Sequence, residues 1–92
     1  MNSPSFDEFK QKSLAAGFDE VIEREWAANT VLDTHSHPFG VQALLIRGEM
    51  CLTMKGQTQH MLPGSVFELE ANVPHDERYG AEGAAYWVAR KN

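Results

Sequence analysis

Turn signals recur along this chain at intervals too short for anything but strands. Lys55-Gly56-Gln57 reads as a hairpin turn, Pro63-Gly64 as a tight turn, and "ANVP" at 71–74 as another reversal. Between them lie segments with the composition of strands. In "VIEREW" Ile22 and Trp26 alternate with acids, with Arg24 on the Ile22 side. "NTVLDTHSH" is rich in β-branched residues. "VQALLIRGEMCLTM" runs up to Gly48 as one buried strand and leaves it as a second, and "TQHML", "SVFELE" and "AAYWVARK" complete the set. One helix is expected ahead of them, over about residues 4–16. Ser3 or Ser5 caps it, Pro4 occupies the first turn, Asp7 and Glu8 stand near its positive end, Gly17 ends it, and Phe6, Phe9 and Leu14 form its apolar stripe. Many short strands after one helix predict an all-β fold, a small barrel or sandwich spanning about residues 18–90.

Ninety-two residues make one domain with a modest core, and no linker, repeat or low-complexity tract divides them. Support from a second copy, as a homodimer, is expected at this size. The 8 basic residues are scattered against 13 acids, for a net charge of −5, so nucleic acid is not an expected partner. The single cysteine, Cys51, makes neither an intramolecular disulfide nor a thiolate cage, which fits a reducing compartment. The longest apolar stretch, "VQALLI", is too short to cross a bilayer, and the N-terminus carries acids where a secretory signal has an apolar segment. The expected location is the cytoplasm, with no membrane partner.

Three of the four histidines, His35, His37 and His75, stand beside turns or strand ends. In a strand, His35 and His37 share one face, and a third imidazole from a distant strand supplies a third corner of a metal polyhedron. Neutral imidazole suits zinc, iron, nickel, cobalt, copper or manganese and leaves positions open for water or substrate. On spacing alone such a pair is more often surface decoration than a site. His60 reads as an exposed strand residue and Cys51 as buried and inert. Met50, Met54 and Met61 read as core. Trp26, Phe39, Phe67 and Trp87 line a pocket or fill the core. Tyr79 and Tyr86 are candidate hydrogen-bond donors, with Tyr86 read as core. Asp33 shares strand parity with His35 and either orients an imidazole or is a solvated turn acid. Asp76 and Glu77 read as surface acids.

From Asn29 to Tyr79 the sequence resembles a small single-domain cupin. The first cupin motif is G, five residues, HxH, three or four residues, E, six residues, G. Asn29 stands at its first glycine, His35-Ser36-His37 at its histidine pair, and Gly48 at its end. The second is G, five residues, PxG, two residues, H, three residues, N. Gly64, Glu70-Ala71-Asn72, His75 and Tyr79 keep its spacing. The resemblance implies a jelly-roll barrel, a double-stranded β-helix, with His35, His37 and His75 as ligands of a divalent transition metal. The motif's glutamate has no counterpart. Counting four on from His37 gives Gln42, and counting six back from Gly48 gives Val41, because one residue is missing between these landmarks. Gln42 facing inward would be a weak neutral fourth ligand. Val41 facing inward leaves three histidines and solvent. Either way the ion keeps its full charge, which favours an anionic small molecule.

Two classes of function follow from the resemblance. One is a metal-dependent small-molecule enzyme of dioxygenase, lyase or isomerase type, with Tyr79 as the candidate for proton transfer. The other is a small-molecule-binding or sensing module without turnover.

Overall fold

A computed structural model describes residues 5–91. Helix α1, Phe6–Ala15, is followed by strands β1 (Glu20–Trp26), β2 (Val31–His35), β3 (Gly40–Met54), β4 (Gln57–Met61), β5 (Val66–Leu69) and β6 (His75–Lys91). Ser5 caps α1, its side-chain oxygen accepting from the Glu8 amide at 3.1 Å; Ser3 and Pro4, the other expected start signals, lie outside the described residues. Phe6 and Phe9 pack on Trp87 with ring centroids 5.6 and 5.8 Å away. The third inward position is Ser13, which is buried, and Leu14 is exposed. Trp87 therefore belongs to the outer seam beneath the helix.

Two long strands carry the fold. β3 and β6 pair antiparallel along nearly their whole length, from Gly40 opposite Lys91 to Thr53 opposite Asp76. The C-terminal half of β6 also pairs with β1, and its first residues pair with β2. Likewise β3 pairs with β5 through its first half and with β4 through its second. Each long strand thus runs through both halves of one six-stranded sheet, and a single core draws on both: Val41, Ala43 and Leu45 with Met50 and Leu52 from β3, Tyr86 and Val88 with Tyr79 from β6. The bend between the halves falls at bulges between Leu45 and Arg47 and between Gly48 and Met50. Gly48 has φ +79°, and a Cβ there would stand 2.0 Å from the Gly83 carbonyl oxygen. Only a glycine lets β6 pass this close.

The turns follow the residue types. Lys55 and Gly56 both have positive φ, as a two-residue type I′ hairpin requires. At Pro63-Gly64 the Ser65 amide donates to the Leu62 carbonyl at 2.9 Å with Gly64 at φ +94°, a type II turn. Asn29 and Asn72, which stand where the cupin motifs have glycine, have φ of +59° and +67°. Asparagine is the side chain that best tolerates this left-handed region, so both replacements keep the backbone path. Among the described residues no helix is long and apolar enough to cross a membrane.

Candidate metal centre

The site begins where β6 begins. Strand alternation places His75, Glu77 and Tyr79 on the inner face of β6, and burial follows, with 2, 6 and 4% of each residue exposed. On the neighbouring strand His35 is the register partner of His75, past an irregularity between Leu32 and His35. His37 lies just beyond β2, and its carbonyl accepts from the Asn72 amide at 2.8 Å, which ties the two histidine-bearing loops together. The three imidazoles meet. Ring centroids of His35 and His37 are 4.4 and 5.0 Å from that of His75 and 6.4 Å from each other. His37 also stacks on Phe39, at 4.4 Å and 9°.

Each imidazole is oriented by a main-chain carbonyl two residues away. His35 Nδ1 lies 2.7 Å from the Asp33 oxygen, His37 Nδ1 2.9 Å from that of Phe39, and His75 Nδ1 2.9 Å from that of Val73. A carbonyl only accepts, so each Nδ1 carries a proton, and in the neutral form of each ring the lone pair is then on Nε2. Asp33 meets the His35 ring through its backbone carbonyl and not through its carboxylate, so the side-chain parity raised from sequence plays no part in this contact.

Glu77 faces these lone pairs. Its Oε2 is 3.4 Å from His35 Nε2 and 3.9 Å from His75 Nε2, and one donor atom from each of the three residues falls within 4.8 Å of the others. Its Oε1 accepts the Tyr79 hydroxyl proton at 2.6 Å. Tyr79 stacks on Trp26 at 5.5 Å, and Trp26 Nε1 donates to the Tyr86 hydroxyl at 2.9 Å. The two tyrosine oxygens are 3.4 Å apart. The Tyr79 hydroxyl thus lies between the Glu77 carboxylate and the Tyr86 oxygen, much closer to the carboxylate. Burial pushes the Tyr79 phenol far above its ordinary range, with the charges of Tyr86 and Glu77 and their hydrogen bonds adding to it. Burial also raises Tyr86, reinforced by the Glu77 charge and partly offset by hydrogen bonds from Tyr79 and Trp26 and by the Arg24 charge.

The cluster opens on a cavity of about 150 Å³ walled by Trp26, Phe39, Val41, Phe67 and Val88, with Arg24 and Arg90 among its polar groups. The rings of the three histidines picked from the sequence are therefore neighbours, but the donor atoms that converge are those of His35, His75 and Glu77, and His37 stands outside that group. Gln42 does not join them: its amide donates to Glu68 Oε1 on β5 at 3.5 Å, away from the cavity, while Val41 lines it. Counting back from Gly48 is thus the landmark that survives. The carboxylate that faces the imidazoles is Glu77, read from sequence as a surface acid. The available signal was parity, since Glu77 follows His75 by two in a strand. Tyr79 is buried behind Glu77 and not on the cavity wall. Asp76, on the other side of β6, pairs in register with Thr53. His60 is exposed and contacts Glu49 at 2.9 Å, and Cys51 is partly buried.

No family model matches the sequence, and no curated protein does. Solved structures do resemble it in fold. A protein of unknown function from Rhizobium leguminosarum bv. viciae 3841 superposes with a TM-score of 0.73 at 17% identity, over 77% of this chain and 67% of that one. The cupin domain of Schizosaccharomyces pombe Cnp3 gives 0.72 at 14%, over 78 and 51%. The DMSP lyase DddQ of Ruegeria pomeroyi DSS-3 gives 0.67 at 20%, over 78 and 36%. The chain thus spans about half and about a third of the latter two. It has the cupin fold, a double-stranded β-helix with one short N-terminal helix.

Proposed function

We propose that the protein is a small metal-dependent cupin, in which His35, His75 and Glu77 hold a divalent transition metal and His37 completes the set from the cavity rim. The observation that carries this reading is the donor chemistry. Three Nδ1 protons are committed to carbonyls, so the two nearest Nε2 lone pairs and the Glu77 carboxylate aim electron density into one small volume. That arrangement is repulsive until a cation or protons enter it, and imidazole with carboxylate suits zinc, iron, manganese, cobalt, nickel or copper. Glu77 returns the negative charge lost at the motif's glutamate position. When bound, such an ion supplies a Lewis acid that polarises an oxygen of a small molecule. The chain's own residues orient the imidazoles, keep Tyr79 neutral against Glu77 and exclude water with aromatic walls.

A reaction of lyase or isomerase type, or a dioxygenation if the metal is iron, fits an open metal face beside an apolar cavity. DddQ, of similar fold, is a lyase. One observation favours the second reading, a ligand-binding module without turnover. Among the described residues the titratable groups on the cavity wall outside the ligand set are Arg24, Arg90 and Tyr86, none a ready base at neutral pH. Elemental analysis after expression in metal-replete medium tests the site. About one equivalent of metal is expected in the unmutated protein and little in His75→Ala or Glu77→Gln; no stoichiometric metal in the unmutated protein overturns it. We also propose that two copies pair through the outer apolar face where Leu44, Val66 and Ile46 border α1. A monomer mass in sedimentation at micromolar concentration refutes that pairing.

A further inference from the structure

Resting on the metal reading, we propose that Arg24 and Arg90 form a carboxylate-recognition end of the cavity, so that the ligand is a small organic acid held between two guanidinium groups and the metal centre. Arg24 sits on the inner face of β1, with its guanidinium carbon 5.0 Å from the centre of the Trp26 ring. Among the described residues it has neither an ion pair nor a hydrogen bond, although 13 acids are spread through the chain. Arg90 lies 4.8 Å over the Phe39 ring and gives one terminal nitrogen to Glu20 at 3.2 Å, and its Nε is buried with no acceptor. A buried N–H without an acceptor is rare in a folded protein and marks a place where an acceptor belongs.

The two arginines come to the cavity from different distances along the wall. Arg90 is in register with Glu20 and Arg24 with Tyr86, on the same face of the sheet and four residues apart, about 13 Å along the strands. Both side chains line the same cavity, so they approach it from opposite ends of that span. Within a chain of net charge −5, the cavity therefore gathers two cations against one carboxylate, Glu77, before any metal is counted. Guanidinium forks match the two oxygens of a carboxylate, and aromatic faces beneath them hold the forks flat. The volume sets the size. About 150 Å³ has room for a short-chain acid.

Malonate and its neutral counterpart malonamide test the assignment, titrated calorimetrically into the zinc-loaded protein with the zinc content of every sample measured. Zinc itself favours the carboxylate, so the decisive comparison is between variants. Arg24→Gln and Arg90→Gln are expected to keep their zinc and their fold by circular dichroism. Each should weaken malonate binding by about tenfold or more while leaving malonamide unchanged. If the unmutated protein holds no zinc, the metal reading fails by itself, and the two arginines must still make the zinc-free protein prefer malonate to malonamide. Malonate affinity unchanged in both variants, no preference over malonamide in the unmutated protein, or no malonate binding at millimolar concentration each overturns the proposal.

Discussion

Replacing Glu77 by Gln should move the stability of the metal-free and metal-loaded protein in opposite directions. In the metal-free state the Glu77 carboxylate faces two imidazole nitrogens whose lone pairs point at it, 3.4 and 3.9 Å away. A glutamine of the same shape removes that charge, keeps an oxygen to accept the Tyr79 proton, and offers an amide N–H to a lone pair. Stability without metal should hold or rise. With metal the same change removes the one anionic ligand. Unit charges about 4 Å apart interact by about 4 kcal/mol at an effective dielectric near 20, so a loss of affinity of about 100-fold is a conservative expectation. At a fixed saturating zinc concentration that loss lowers the stabilisation from binding by about 2.7 kcal/mol. For a domain of this size it lowers the zinc-induced rise in Tm by about 10–20 °C. Thermal melts of both proteins in chelator and in zinc, followed by circular dichroism, measure the two effects together. Equal zinc-induced shifts in the two proteins would refute the placement of Glu77 among the ligands. A metal-free variant destabilised by several kcal/mol would show that the carboxylate is held by protonated imidazoles and is structural.

Gln42→Glu should leave zinc affinity unchanged, because the side chain points to β5, and should cost about 0.2–1 kcal/mol by placing a second carboxylate opposite Glu68; tighter zinc binding in this variant would overturn the outward assignment. Gly48→Ala should destabilise by about 3 kcal/mol or more, since its φ of +79° disfavours any side chain and the new carbon meets the Gly83 carbonyl; urea denaturation measures it, and a loss below 1 kcal/mol would refute the close crossing of β3 and β6. Alkaline pH should unfold the protein. Below the ordinary tyrosine value of 10.0 the phenols are neutral folded or unfolded and the stability is intact; above it the unfolded chain ionises while Tyr79, held far higher, does not, so about 1.4 kcal/mol is lost per pH unit through this residue alone. Absorbance at 295 nm should therefore rise only with the unfolding transition, and ionisation of both tyrosines in the folded protein near pH 10 would contradict their burial.

The parts legible from sequence were those set by local chemistry. Lys55-Gly56 and Pro63-Gly64 turn the chain because of what their own backbones favour, and alternation in β1 puts Ile22, Arg24 and Trp26 inward whatever lies opposite. The histidines could be collected because motif spacing counts residues between turns that the structure keeps. What was not legible depends on partners distant in the chain. Glu77 looks like one more acid after a turn, and its burial comes from having Leu32 of β2 on one side and Leu52 of β3 on the other. The join of "DERY" to "AAYWVARK" into one strand depends in the same way on β3, whose bulges follow β6 through its bend. Ser13 displaces Leu14 from the helix stripe because the packed surface beneath α1, centred on Trp87, meets the 6, 9, 13 line of the helix.

The departures from the cupin motifs divide by the same distinction. Asn29 and Asn72 replace glycines at positions whose requirement is a left-handed backbone, a requirement of the residue itself, and asparagine meets it. The lost glutamate had to meet a requirement of the site, an anion facing imidazole nitrogens, and any strand that reaches the same volume can supply it. β6 does so because His75 already points there and alternation carries Glu77 to the same face two residues later. Tyr79, where the second motif has asparagine, is the next residue on that face and holds Oε1 of the relocated carboxylate, leaving Oε2 toward the imidazoles. In the proposed centre the acid on β6 has its donor on the same strand, since a phenol two residues on is long enough to reach it.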